Sequence, residues 1–176
     1  MYVCLSNVNF INTMIIMKKI IYPVLLSLII CLAAQAQAEK SVWNGCDRYD
    51  FTFKDRQATV VVPQKVAKGN PWIWRPAFFD AFPSVDKALL EKGFHVVYYD
   101  VTHLYGSPRA VSLGTEFYEN VTNLYGLSDK VTLEGFSRGG LFVFNWAAQN
   151  TEKVACIYVD APVCDVFSWP GRKNAA

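Results

Sequence analysis

The sequence predicts an α/β fold, a mostly parallel sheet covered by helices on both faces. Three observations carry the prediction. Short, near-continuous apolar runs rich in Val, Ile, Phe and Tyr recur along the chain. Longer stretches with helical spacing of apolar residues separate them. At one point, Val131-Thr132-Leu133-Glu134-Gly135-Phe136-Ser137-Arg138-Gly139-Gly140, a β-branched strand runs through Gly-x-Ser-x-Gly straight into a helical stretch.

The elements follow in order. Tyr49 to Lys54 and Gln57 to Val62 read as short strands joined by a polar turn, an antiparallel opening. Pro71 to Arg75 is a third strand. Val85 to Lys92 has helical spacing, with Ser84 as its candidate cap and Gly93 just past its end. Phe94 to Val101 is an apolar strand, and Arg109 to Tyr125 a longer amphipathic helix closed by Gly126. Val131 to Phe136 is the next strand and Arg138 to Gln149 the helix after it. Val154 to Val159 is a last apolar strand, ending in Asp160-Ala161-Pro162.

A tight strand-to-helix turn built on Gly-x-Ser-x-Gly holds its serine at a strained backbone position. Small residues two before and two after the serine, here Gly135 and Gly139, make room for that turn. Ser137 is therefore the candidate nucleophile. The chain has two histidines, His95 and His103, and both precede Ser137. No histidine follows it to act as general base in the chain order Ser, acid, His.

Residues 1–38 are expected to stand apart from the fold. Met17-Lys18-Lys19, an apolar run from Ile20 to Leu32, and Ala33-Ala34-Gln35-Ala36-Gln37-Ala38 have the layout of a secretory signal peptide. The apolar run is shorter than the ~20 residues of a membrane span. Residues 1–16 read as an over-extended start. Cleavage after Ala36 or Ala38 leaves one domain over residues 39–176, and export implies a periplasmic or extracellular location. In that oxidising setting Cys46, Cys156 and Cys164 remain. Spacing assigns no disulfide among them, and Cys156, in an apolar strand, is expected to be a buried thiol.

Seventeen basic and fifteen acidic residues are interleaved, for a formal charge of +2. No basic stripe exists, so nucleic acid is not an implied partner. No cofactor and no metal is implied, and oligomeric state is not legible.

The element order and the Gly135-Phe136-Ser137-Arg138-Gly139-Gly140 turn resemble the α/β-hydrolase superfamily. The Trp72-Ile73-Trp74-Arg75-Pro76 strand end, in a chain with a leader, resembles exported bacterial serine esterases near the carbohydrate-active ones. This resemblance implies Ser137 as nucleophile and the backbone N–H of Arg138 as one oxyanion donor. It places the second donor in the loop from Trp74 to Phe79. Pro76 has no N–H, so Arg75 or Trp74 is the expected donor. Asp160 and Asp165 stand where some relatives carry the catalytic acid, and either is equally well a turn former. Asp100 and His103 are expected at the same sheet edge as Ser137, with His103 as a pocket or loop residue. His95 is read as a satisfied strand residue, and at least one of Trp72 and Trp74 as core. Arg138 either lines the mouth, where it meets a substrate carboxylate, or stands in solvent, the simpler reading; Glu134 either tunes the site electrostatically or bonds to loop backbone, the favoured reading.

Against the family pattern, the domain is expected to be partial, lacking the last strands and the histidine. The implied activity is hydrolysis of ester bonds through an acyl-enzyme on Ser137, on a small-molecule or carbohydrate ester. Two alternatives stay open: a serine peptidase of the same fold, and a truncated, non-catalytic homologue. The chain as written is expected to turn over simple esters little.

Overall fold

The computed structural model describes residues 38–169 and 171. The expected leader, with Cys4 and Cys31, lies outside them. Seven strands form one mixed sheet in the order β1-β2-β3-β5-β4-β6-β7. Its antiparallel half comes first: β1 (Glu39–Trp43), β2 (Cys46–Phe53) and β3 (Arg56–Val62), each paired to the next, with β3 also antiparallel to β5 (His95–Tyr99). The remaining pairs are parallel: β4 (Trp72–Arg75) with β5 and with β6 (Val131–Phe136), and β6 with β7 (Val154–Asp160). Helices α1 (Ser84–Glu91), α2 (Pro108–Tyr125) and α3 (Gly139–Gln149) are the crossovers that parallel pairing requires.

Local chemistry sets the boundaries. The Ser107 side chain accepts the Ala110 N–H at the start of α2, where Pro108 occupies the first turn, and Gly126 ends the helix at φ 61. Ser84 is not the cap of α1. It is the first helical residue, after Pro83, and no side chain caps that end.

The main core lies between the sheet and helices α2 and α3. It is unusually aromatic: Trp74 is ringed by Trp146, Phe142 and Phe117 at centroid distances of 5.1, 5.2 and 5.7 Å, and Tyr99 stacks on Phe117 at 4.3 Å. Trp72 and Trp74 are both fully buried. A smaller cluster of Trp43, Val61, Ile73, Leu90 and Val96 fills the α1 face. The alternation of β4 explains the split, since successive side chains leave opposite faces of a strand.

One expectation about cysteine changes. Cys156 is exposed, because β7 is the edge strand among the described residues and Ala155 to Tyr158 are all exposed on it. Cys46 is the buried one, and Cys46, Cys156 and Cys164 are each free.

Candidate active site

Ser137 sits between the end of β6 and the start of α3 at φ 51, the left-handed backbone that a nucleophile elbow imposes. The turn is held from both directions. Ser137 N–H donates to the Asp160 carbonyl at 3.0 Å, and the Ser137 carbonyl accepts from Val163 N–H at 2.8 Å and Gly140 N–H at 3.0 Å. The segment leaving β7 therefore pins the elbow, and the serine side chain is left partly exposed at the C-terminal edge of the parallel strands. Arg138 N–H stands at the N-terminal end of α3, where the first amides of a helix have no intrahelical partner and the macrodipole favours negative charge.

The glycines of the motif divide differently from the expectation. A Cβ on Gly139 would meet the Ala77 Cβ at 3.4 Å and Pro76 Cγ at 3.6 Å, ordinary contacts. The tight positions are Gly135, 3.0 Å from Val159 Cγ1 and 3.2 Å from Gly140 Cα, and Gly140, 2.7 Å from Pro162 Cβ and 2.8 Å from the Val163 carbonyl oxygen. Gly139→Ala is thus expected to stay within about 1 kcal/mol of the parent, whereas Gly140→Ala loses about 1–3 kcal/mol through overpacking against backbone. Urea denaturation of the two variants measures this, and equal stabilities would contradict the close approach at Gly140.

The same geometry brings a further candidate donor, Ala77, to the serine turn. Arg75 is still in register with Tyr98 of β5. The first residues beyond the sheet are Pro76 and Ala77, both buried and both facing Gly139 of the elbow helix. Because Pro76 carries no N–H, the next donor along the chain is Ala77, a signal that was present in the sequence. The loop that follows bends sharply, with Phe78, Asp80 and Phe82 at φ 55, 66 and 51. Such backbone is costly for non-glycine residues and persists where the surroundings enforce it. Here Trp43 Nε1 donates to Asp80 Oδ1 at 3.1 Å.

Arg75 does something else with its side chain. It is 1% exposed, beside Asp86 at 1% and Glu134 at 4%. Its Nη1 donates to Asp86 Oδ2, its Nη2 donates to the Ala81 carbonyl at 2.6 Å, and Nη2 lies 3.4 Å from Glu134 Oε1. Glu134 is therefore not bonded to loop backbone; it belongs to a buried cluster of one guanidinium and two carboxyl groups. Burial, then the neighbouring Asp86, push the Glu134 carboxyl up to about 8, against the opposing pull of Arg75. The cluster ties the 76–83 loop, through Ala81 and α1, to the strand that presents Ser137.

The other candidates are placed as follows. Asp160 has an exposed side chain, and it is its carbonyl that holds Ser137. Asp165 uses both carboxylate oxygens locally, accepting Phe167 N–H at 3.0 Å and Ser168 N–H at 3.2 Å. His95 is buried at the opposite end of β5, its Nδ1 3.4 Å from the Pro71 carbonyl, and burial holds it below the ordinary histidine range. His103 is exposed on a cavity that Arg138 and Asp100 also line. Arg138 is not free in solvent: its guanidinium lies 4.9 Å from the Phe78 ring and 5.5 Å from the Trp169 ring. Phe136 meets Phe78 and Phe82 at 5.6 and 5.5 Å, and Phe82 remains 76% exposed, so an aromatic rim surrounds the serine turn.

Comparison with known proteins agrees with this geometry. Residues 69–172, more than half of the chain, match the family described as alpha/beta hydrolase fold. No curated protein matches the chain. Among solved structures, it is similar to a cold-adapted esterase from an Arctic intertidal metagenomic library (12% identity, 70% of this chain, 64% of that one, TM-score 0.53). It is also similar to lipase A of Candida antarctica (16% identity, 72% and 41%, TM-score 0.46) and to epoxide hydrolase A of Mycobacterium thermoresistibile (17%, 69% and 39%, TM-score 0.46). At these identities the likeness shows the fold alone. The chain spans from 39% to 64% of the length of these structures.

Proposed function

Since the chain belongs to the alpha/beta hydrolase family, we propose that it is a serine hydrolase cleaving esters through an acyl-enzyme on Ser137. The observation that carries this reading is the Ser137 turn itself, a non-glycine residue at φ 51 between strand and helix with its side chain at the open sheet edge. Ser137 Oγ attacks the acyl carbon, and negative charge develops on the carbonyl oxygen. Arg138 N–H at the start of α3 and Ala77 N–H from the facing loop are the donors we assign to that oxygen. The C–O bond to the alcohol then breaks, the alcohol leaves with a proton, and water releases the acid in a second step.

The Ser137 proton needs an acceptor. Of this chain's two imidazoles, only His103 stands at the same sheet edge. The substrate class we propose is an acyl group carried by a carbohydrate, on the resemblance of the Trp72–Pro76 strand end to exported esterases. Export itself rests on the Met17–Ala38 layout, and N-terminal sequencing of exported protein, starting at Gln37 or Glu39, would show it.

Labelling tests the nucleophile. A fluorophosphonate is expected to form an adduct on the peptide containing Ser137, and Ser137→Ala to lose it. Loss in His103→Ala as well would assign the base to His103; survival there would place the base elsewhere. An adduct on another residue, or none under conditions that label a known serine hydrolase, would refute the reading in favour of a non-catalytic homologue.

A further inference from the structure

Beside the serine turn lies an open cavity of about 360 Å³, within the size range of small-molecule sites. Its walls come from three places that the sequence keeps far apart. Phe78 and Phe79 belong to the loop after β4, Tyr98 and Asp100 to the end of β5, and Arg138 to the residue after the nucleophile. Gln57 of β3, with Thr102 and His103 just beyond β5, completes its polar side.

We infer that this cavity is a subsite for a neutral, hydroxyl-rich ring, a sugar unit on the ester that Ser137 attacks. The inference rests on the serine-hydrolase reading for its role and on the cavity's own chemistry for its ligand. Charge argues against an ionic ligand. Arg138 and Asp100 line the same space, so an anion meets the carboxylate and a cation meets the guanidinium. A polyol satisfies both, because each hydroxyl donates and accepts. Unused capacity is present on both sides. Asp100 Oδ1 accepts Thr102 N–H at 3.0 Å, while its second oxygen and the Gln57 amide have no partner among the described residues. Burial, then Asp100, push the Tyr98 phenol up to about 12, so it stays protonated and able to donate. Flat aromatic walls match the C–H faces of a sugar ring. Phe79 is braced by Tyr98 at 5.7 Å and by the Arg48 guanidinium at 4.8 Å, and Phe78 by Phe136 and Arg138, so these faces are already in place before a ligand arrives. Arg138 follows Ser137 in the chain, so this cavity opens beside the serine turn.

The test is binding, measured by saturation-transfer NMR and titration calorimetry on the whole chain, with methyl glucoside, glucuronate and glucosamine as neutral, anionic and cationic probes. Methyl glucoside is expected to bind more tightly than either charged probe. Gln57→Ala and Asp100→Asn should each weaken it about tenfold, the effect of one hydrogen bond lost from a binding site. Both residues are at the surface or keep the Thr102 contact, so the variants retain the fold. Ser137→Ala should bind as the parent does. The subsite is refuted if no probe binds, if glucuronate binds best, or if neither substitution weakens the glucoside. Glucoside binding without Ser137 labelling would instead retain the subsite and remove the hydrolase reading.

Discussion

Arg75→Ala is expected to cost about 3–5 kcal/mol of folding stability, among the largest single-residue losses available in this chain. The reason is the company that Arg75 keeps. Asp86 and Glu134 are buried with it, and Arg75 is the cation that both carboxyl groups face. Removing it leaves two acidic groups in a space that solvent does not reach, and strips the Ala81 carbonyl of its donor. The cost thus comes from what remains unpaired, not from the worth of the ion pair itself. That distinction has its own signature. Replacing all three together, Arg75→Met with Asp86→Leu and Glu134→Leu, should recover much of the loss, because an apolar cluster of similar volume leaves no charge stranded. Urea denaturation of the single and triple variants measures both effects. A loss under about 1 kcal/mol for Arg75→Ala would show that water reaches the cluster. The same variant should also slow fluorophosphonate labelling, since Arg75 ties the Ala77 loop to the elbow strand.

The stability that Glu134 contributes is expected to fall as pH rises from about 4.5 to 8, and Glu134→Gln to remove that fall. In the unfolded chain Glu134 titrates near the ordinary value of 4.5, whereas in the fold it holds its proton up to about 8. Between those values the native state carries a proton that the unfolded state has released, so raising the pH favours unfolding. The contribution is fully present below about 4.5 and gone above about 8, and its size is on the order of 5 kcal/mol. Every charged group facing Glu134 enters the balance. Asp86 on α1 and Asp160 on β7 favour the protonated form, and Arg75 on β4 opposes it. Glutamine keeps a neutral side chain at every pH, so the variant lacks this term. Denaturation midpoints at pH 5, 7 and 9 compare the two proteins. Parallel profiles would mean that Glu134 is ionised in the fold at neutral pH.

Much of the architecture is legible because its signals are local. The alternation of apolar runs and helical stretches places β2 to β7 and helices α1 to α3 of the described residues within a few residues of their observed bounds. The serine turn is legible for the same reason, since a strand, two glycines and a helix start lie within ten consecutive residues. Strand β1 is the missed element. Its residues are mostly polar and four of the five are exposed, so no periodicity marks it. Yet Asn44 and Gly45, at φ 49 and 77, form the two-residue hairpin turn that such a pair favours, and that signal was in the sequence. Cys156 failed for a different reason. An apolar run predicts a strand covered on both faces, but β7 lies at the edge of the described sheet.

By itself, then, the sequence determined the α/β layering, the order of elements and the position of Ser137, because each follows from residues adjacent in the chain. Tertiary structure alone decided that Gly140 rather than Gly139 is the crowded glycine, that Pro76 and Ala77 meet the elbow helix, and that Arg75, Asp86 and Glu134 share one buried space. Each of these depends on segments that meet only after the sheet has formed. A charged residue's solvation, and hence its pKa, is set by those distant neighbours and not by the residues beside it in sequence.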